Sequence, residues 1–332
     1  MYKRFQAFIL NLPVIAQILQ WSKERSLPGF FDVPIYDVIV FIFNELKREA
    51  LVTRANSMAF SFFLSLFPFI IALITLLPYF QKYIIRHLPF KNALFYENTD
   101  VATLVEQLKM NFQEFIPEGI FNTIADVAMN PRPGLLSIGF ILAIFFGSNG
   151  MMALMRGFEK SYKSTFRKRT VFRKRIVAIF LTFLISMMLI VSVILVILGQ
   201  NLMTFLLNYL DAGSFGSASL QIIRWLVVLS LFYMGIAVIF RYGSATIRRT
   251  SLISPGATLA TILSILSSLV FSFYVKEFDT YNQLYGYIGT IIVIMLWIQI
   301  NAFNLLIGFE LNASIAVNRD LKLEKGEKDD DD

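Results

Sequence analysis

The sequence predicts an all-α polytopic membrane protein with six transmembrane helices, N-terminal interfacial helices and an extracytoplasmic amphipathic helical hairpin. Three observations carry that prediction. Hydrophobic residues make up 56% of the 332 positions and charged residues only 16%, with 34 Phe, far from the balance of a soluble domain. Six apolar runs are each long enough to cross a bilayer core, which takes about 20 helical residues. Most of the 30 Lys and Arg residues fall on one side of the spans those runs define, the pattern that places that side, and both termini, in the cytoplasm.

The elements follow in order. The N-terminal region, residues 1–54, opens with Lys3 and Arg4 before an apolar stretch interrupted by Asn11, Pro13 and Gln17, and reads as interfacial rather than as a secretory signal. The six-helix domain, residues 55–314, begins with Asn56–Phe80, where Pro68 removes a backbone donor and predicts a kink whose freed carbonyls Ser61 and Ser65 are placed to satisfy. An insertion at about 81–134 carries Val101, Leu104, Val105, Leu108 and Phe112 at helical spacing, then Ile116, Ile120, Ile124 and Val127 after Pro117, giving two amphipathic helices outside the cytoplasm. They form either a cap over a cavity or a pair of helices lying on the leaflet.

Span two is Leu135–Met155. Gly139, Ala143 and Gly147 recur every four residues, a small-residue stripe that lets two helix backbones approach in lipid. Asn149, between Gly147 and Gly150, is an amide in hydrocarbon that needs another helix or a wet cavity. The segment is therefore either a packing seam or a local break. Beyond it, Arg156 and Lys160 are expected to reach cytoplasmic headgroups and Glu159 to pair with Lys163 one turn on. The run Arg167–Arg175 (RKRTVFRKR) precedes span three, Ile176–Leu207, so its nearest partners are anionic headgroups and not nucleic acid. Span four is Ile222–Phe240. Span five, Leu252–Val275, starts with a Ser254 cap and Pro255 at the first helical position, and presents Thr258, Thr261, Ser264, Ser268 and Ser272.

Span six, Tyr287–Phe309, carries Trp297, Asn301, Asn304 and Gly308 on one stripe, with Gln299 on another face. Such a helix needs polar partners on two sides. With Asn149, Asn301 and Asn304 are candidates to line a cavity, the alternative being interhelical hydrogen bonds. Glu310 follows as an acid at a helix end, which calls for a fixed cation such as Arg54 or Arg156. The cytoplasmic-interface charge cluster is thus Arg54, Arg156, Glu159 and Glu310. The charged tail, residues 315–332, lacks periodicity and reads as disordered.

No cysteine is present, which excludes disulfide and thiolate chemistry, and the lone histidine, His87, leaves no histidine cluster for a metal. No nucleotide-binding loop occurs, so any transport is driven by a gradient or a partner. No cofactor is expected.

Three segments, RANSMAFSFFLSLFPFIIALITLLPYF (Arg54–Phe80), GMMALMRGFEKSY (Gly150–Tyr162) and YNQLYGYIGTIIVIMLWIQINAFNLLIGFELNAS (Tyr281–Ser314), together resemble the YihY/BrkB family of bacterial inner-membrane proteins. The shared pattern falls on Phe60, Phe67 and Pro68; on Met155, Arg156, Glu159 and Tyr162; and on Tyr285, Gly286, Gly289, Trp297, Gly308, Glu310, Leu311, Asn312 and Ala313. The resemblance implies transport or envelope maintenance with a lipid-like substrate, membrane lipids and envelope proteins as partners, and it adds Tyr281 and Tyr285 as substrate or cavity candidates. It marks Pro68, Gly286, Gly289 and Gly308, with the glycines of span two, as packing or hinge positions. A scaffold that recruits partner proteins is the alternative. The family also carries the label ribonuclease BN, which the residues do not support: paired acids beside an aromatic-lined groove are not evident.

Overall fold

A computed structural model describes residues 20–26, 34–37, 39–40, 50–79, 126, 133–160, 162, 164–210, 214–277 and 287–329. Six long helices carry it: α1 (Ala50–Tyr79), α2 (Pro133–Gly157), α3 (Val171–Leu210), α4 (Ser214–Val238), α5 (Pro255–Glu277) and α6 (Tyr287–Asp329). They fall on the six expected runs. Among the described residues five of them, α2 to α6, contain a segment long and apolar enough to cross a bilayer. The first expected span is the unbroken 30-residue α1, whose side chains are described as far as Ile70. The helical insertion at 81–134 and Tyr281, Tyr285 and Gly286 lie outside the described residues, save Asp126 and the first turn of α2.

Each helix packs on the one before and the one after it, and α6 returns to α1, so the six close a ring of neighbours. From α2 to α6 the connections are short and favour this order, because an up-and-down chain brings consecutive antiparallel helices side by side. At one end every helix contributes small or apolar side chains to a common core, including Leu51 and Met58, Leu154, Leu181, Ala237, Ala257 and Leu306. Phe158 is the centre of this core. Its ring stacks on Phe309 at 4.3 Å and meets Phe240 edge-on at 5.6 Å, while Phe166 approaches Phe309 edge-on at 6.3 Å. Such pairs contribute about 0.5–1.5 kcal/mol each beyond the area they bury.

The closest approach in the ring is between α5 and α6. A Cβ on Gly256 would stand 2.1 Å from the carbonyl oxygen of Gly308, and one on Gly308 would stand 2.5 Å from that of Gly256. Only glycine at both positions permits the crossing. Asn312 locks it: the Gly256 N–H donates to Asn312 Oδ1 (2.9 Å), and Asn312 Nδ2 donates to Ser254 Oγ (3.0 Å). Ser254 Oγ also accepts the Ala257 N–H (3.3 Å), so the expected cap forms with Pro255 at the first helical position.

Several expectations are resolved. Of the two readings of the Gly147–Gly150 segment, the packing seam agrees with the structure and the break does not, since α2 runs through it as continuous helix. A Cβ on Gly147 would meet Thr182 Cγ2 of α3 at 2.7 Å and one on Gly150 would meet the Phe62 ring of α1 at 2.9 Å, while Gly139 and Gly289 are buried. Pro68 is buried within an unbroken α1, and the nearby hydroxyls do not serve the Leu64 carbonyl: Ser61 donates to Ser57 O (2.9 Å) and Ser65 to Phe62 O (2.7 Å). The tail is not disordered from residue 315. Ile315, Ala316 and Val317 are buried, and that apolar footing carries α6 on to Asp329. At the other boundary α1 starts at Ala50, which places Arg54 inside the first long helix.

Candidate functional site

The site is built from two loops at the end of the ring where the aromatic core lies. Helix α2 stops at Gly157, whose carbonyl accepts a long bond from Arg54 Nη1 (3.5 Å), and the chain turns so that Phe158 enters the core. Helix α4 stops differently. It runs on directly into one π-helical turn, Ile239–Gly243, after which Ser244 is extended. A widened turn of this kind leaves carbonyls to be satisfied, and such turns recur at functional sites.

Arg169 satisfies them. Its guanidinium donates to the carbonyls of Tyr242 (3.0 Å), Gly243 (3.2 Å) and Ser244 (2.8 Å), a cation at the negative end of a helix dipole. Burial first, then the neighbouring Arg167 and Arg249, lower its proton affinity below the ordinary guanidinium range, and the three carbonyls hold the charged form in place. The loops are joined by an antiparallel bridge between Phe166 and Thr246, with the Arg167 N–H donating to Ala245 O and the Ile247 N–H to Thr165 O, both at 2.9 Å.

Between these loops lies a cavity of about 490 Å³, within the size range of small-ligand sites. Five cations line it, Lys160, Arg167, Lys168, Arg169 and Lys174, against one acid, Glu159, with Met155, Phe166, Gly243 and Ala245 completing the wall. Lys174 is ion-paired with Glu159. Lys163, the expected partner of Glu159, lies outside the described residues, and α2 ends at Gly157, before Glu159. An excess of donors with positive charge, partly closed from solvent, is suited to hold an anion.

Behind the cavity wall sits an ion cluster. Glu310 of α6 is fully buried; Lys160 Nζ lies 2.6 Å from its Oε2, with only 5% of the lysine side chain exposed, and Arg54 Nη1 of α1 lies 3.8 Å from Oε1. Of the cations expected for Glu310, Arg54 is therefore in place and Arg156, exposed on the last turn of α2, is not. Lys160 does not reach for headgroups as expected. The turn after Gly157 points it inward, so one ammonium faces both the buried acid and the cavity.

The three amides expected around one cavity are apart. Asn149 Oδ1 accepts from Arg175 Nη1 of α3 (2.5 Å), whose guanidinium also lies 4.8 Å from the centre of the Phe145 ring. Asn304 donates to Ser267 Oγ of α5 (2.8 Å), and Asn301 to the Trp297 carbonyl of its own helix (2.9 Å). Trp297 Nε1 in turn reaches Ser268 Oγ (3.2 Å), and Gln299 donates to Asn56 Oδ1 of α1 (2.7 Å). Span six thus has polar partners on two sides, from α5 and α1, while Asn301 bonds within its own helix. A second cavity of about 220 Å³ lies between α1, α2 and α3 and is lined almost entirely by apolar groups such as Phe62, Phe69, Phe140, Ile144 and Leu189.

The basic run was legible in the sequence as a topogenic stretch facing anionic headgroups, not as the wall of a cavity. Lys168, Arg169 and Lys174 were visible as charge; their convergence with Lys160 depends on the loop bridge and on the π-helical turn, neither of which has a sequence signature of its own.

The chain matches the family described as Virulence factor BrkB over residues 42–332. It is 31% identical over 264 residues to the ribonuclease-like protein YfkH of Bacillus subtilis (strain 168), covering 79% of this chain and 88% of that one. Over 94 residues it is 30% identical to a UPF0761 membrane protein of Xanthomonas axonopodis pv. citri (strain 306), a match to 28% of this chain and 22% of that one. A UPF0761 membrane protein of Xanthomonas campestris pv. campestris (strain B100) is 35% identical over 65 residues, 20% of this chain and 15% of its own. No solved structure matches this chain.

Proposed function

Because the chain belongs to the BrkB family of membrane proteins, we propose that it is a transport or envelope-maintenance protein of the bacterial inner membrane that takes an anionic, lipid-like substrate by its headgroup. The observation that carries this reading is the basic cavity: five cations against one acid, at the end of an apolar helix ring, beside the Arg167–Arg175 run that leads into a span. That position suits a phosphate-bearing headgroup whose acyl chains stay in the bilayer, with the basic end facing the cytoplasm. The apolar cavity between α1, α2 and α3 suits such a chain.

The test is binding by the full-length protein in detergent or nanodiscs, using dioctanoyl phosphatidylglycerol, dioctanoyl phosphatidylcholine and glycerophosphoglycerol. The anionic lipid is expected to bind at least about tenfold tighter than the zwitterionic one, with an affinity that falls as salt rises, and Arg167→Gln with Lys168→Gln is expected to remove the preference. Equal affinity for the two lipids would overturn the reading. Preference for the chain-free phosphodiester over the lipid would move the site from lipid to soluble anion. The name of the B. subtilis relative supports a second reading, in which the same cations hold an RNA backbone. Cleavage of an RNA oligonucleotide by the purified protein, lost in the double variant, would favour it.

A further inference from the structure

The loop from Ser244 to Ser254, between the π-helical turn and α5, takes part in two cavities. Ala245 belongs to the wall of the basic cavity. Arg248, Arg249 and Thr250 line a small pocket of about 70 Å³ instead, together with Ser254 and Asn312 of the α5–α6 crossing and Arg319 from further along α6. The two cavities have no lining residue in common. We propose that this pocket binds the phosphate group of an anionic lipid in the surrounding leaflet, at a site separate from the basic cavity.

The charge comes first. Three guanidiniums stand around the pocket, and no acid lines it among the described residues. Arg319 is ion-paired with Asp320 (2.9 Å), whereas Arg248 and Arg249 have no ion pair among the described residues. The Arg249 guanidinium lies 5.6 Å from the centre of the Tyr242 ring, a contact that orients it while leaving its N–H fork unused. Its charge also lowers the proton affinity of Arg169, so the repulsion reaches across the loop. Thr250 is an independent sign. Its carbonyl accepts from Arg241 Nη1 (3.3 Å), but its hydroxyl oxygen is shielded from solvent without a hydrogen-bond partner. A buried hydroxyl of that kind calls for an acceptor, and a phosphate oxygen held by the two arginines supplies one.

Size and position select the ligand. The pocket takes one tetrahedral anionic group and not a whole small molecule, whose sites run to about 300–1,000 Å³. Arginine forks match phosphate in geometry and charge. The first N–H groups of α5 are already used, Gly256 on Asn312 and Ala257 on Ser254, so side chains do the holding. The apolar span of α5 starts at Pro255, and Ile253, which also lines the pocket, is 81% exposed. A bare isoleucine beside arginines where a span begins marks the boundary between headgroups and acyl chains, and basic pockets between transmembrane helices at that level hold anionic headgroups. Soluble phosphate offers the same chemistry, and the test has an arm for each source.

Native mass spectrometry of the full-length protein in detergent, titrated with dioctanoyl phosphatidylglycerol, counts the bound lipids and gives the affinity of each. The expected result is a bound lipid that Arg248→Gln with Arg249→Gln removes and that Arg167→Gln with Lys168→Gln, in the basic cavity, leaves in place. Thr250→Val changes no charge and is expected to weaken the same lipid about tenfold, which non-specific attraction to arginine does not predict. A lipid count unchanged by the Arg248 and Arg249 pair would overturn the proposal and leave the basic-cavity reading standing. Loss of every bound lipid in the Arg167 and Lys168 pair would do the same. Loss in the Arg248 and Arg249 pair alone would support this site and count against the other. Glycerophosphoglycerol and inorganic phosphate at the same concentrations are expected to leave no adduct; an adduct of either that the Arg248 and Arg249 pair removes would assign the pocket to a soluble anion and overturn the lipid. Should that pair fail to fold, Thr250→Val decides: wild-type affinity for every bound lipid refutes the proposal.

Discussion

Replacing Gly256 with alanine tests the α5–α6 crossing directly. The added Cβ would lie 2.1 Å from the Gly308 carbonyl oxygen and 2.5 Å from Asn312 Cγ, whereas ordinary contact begins at 3.4 Å. The first obstacle is backbone, so it cannot turn aside, and the helices must separate by more than an ångström. Overpacking of this kind costs about 1–3 kcal/mol. Separation also stretches the Gly256 N–H bond to Asn312 and the Asn312 bond to Ser254, at about 0.6 kcal/mol each for interhelical bonds in a membrane. The sum is a loss of about 2–4 kcal/mol. Gly235→Ala is the control, since its Cβ meets only Ile185 Cδ1 at 3.6 Å; there the better helix propensity of alanine should leave stability unchanged or raise it by up to about 1 kcal/mol. The two substitutions thus differ in sign. Unfolding in mixed micelles, followed by circular dichroism, measures both. Gly256→Ala as stable as Gly235→Ala would refute the claim that the backbones touch here.

The ion cluster should be asymmetric: Lys160→Met removes the ammonium 2.6 Å from the buried Glu310 and should cost about 3–5 kcal/mol, while adding Glu310→Leu should recover most of that in the same assay. Arg169→Gln removes guanidinium bonds to three carbonyls, so about 2–3 kcal/mol should be lost, and hydrogen exchange should accelerate at Arg167 and Ile247, the N–H donors of the loop bridge. Gly147→Leu, facing Thr182 at 2.7 Å, should lower the melting temperature far more than Asn149→Ala, which gives up one bond to Arg175 and costs about 1 kcal/mol. Cysteines placed at Gly134 and Ser164, exposed near opposite ends of α2, should label from opposite sides of the membrane, with Ser164 protected in intact cells.

What the sequence by itself determined is what local physics decides. A run of some 20 apolar residues has one stable state in a bilayer, because helix alone satisfies its backbone, so the six helices were legible, as was the Ser254–Pro255 start of α5, whose cap partner is three residues away. The need for a cation beside Glu310 was also legible, since an acid among Leu306, Phe309 and Leu311 is costly alone. Arg54 was legible as one such cation, and the closer Lys160 was not. Arg156 and Lys160 are four residues apart and chemically alike, and the choice fell to Lys160 because α2 ends at Gly157 and the chain turns inward there. In the same way Asn149, Asn301 and Asn304 each announced that a polar partner was required, but Arg175, the Trp297 carbonyl and Ser267 were selected by which faces the ring brings together. The basic cavity belongs wholly to tertiary structure: Arg169 finds its role only when the widened end of α4 presents three carbonyls more than 70 residues away, and a contact at that separation is fixed by packing, which no local pattern encodes.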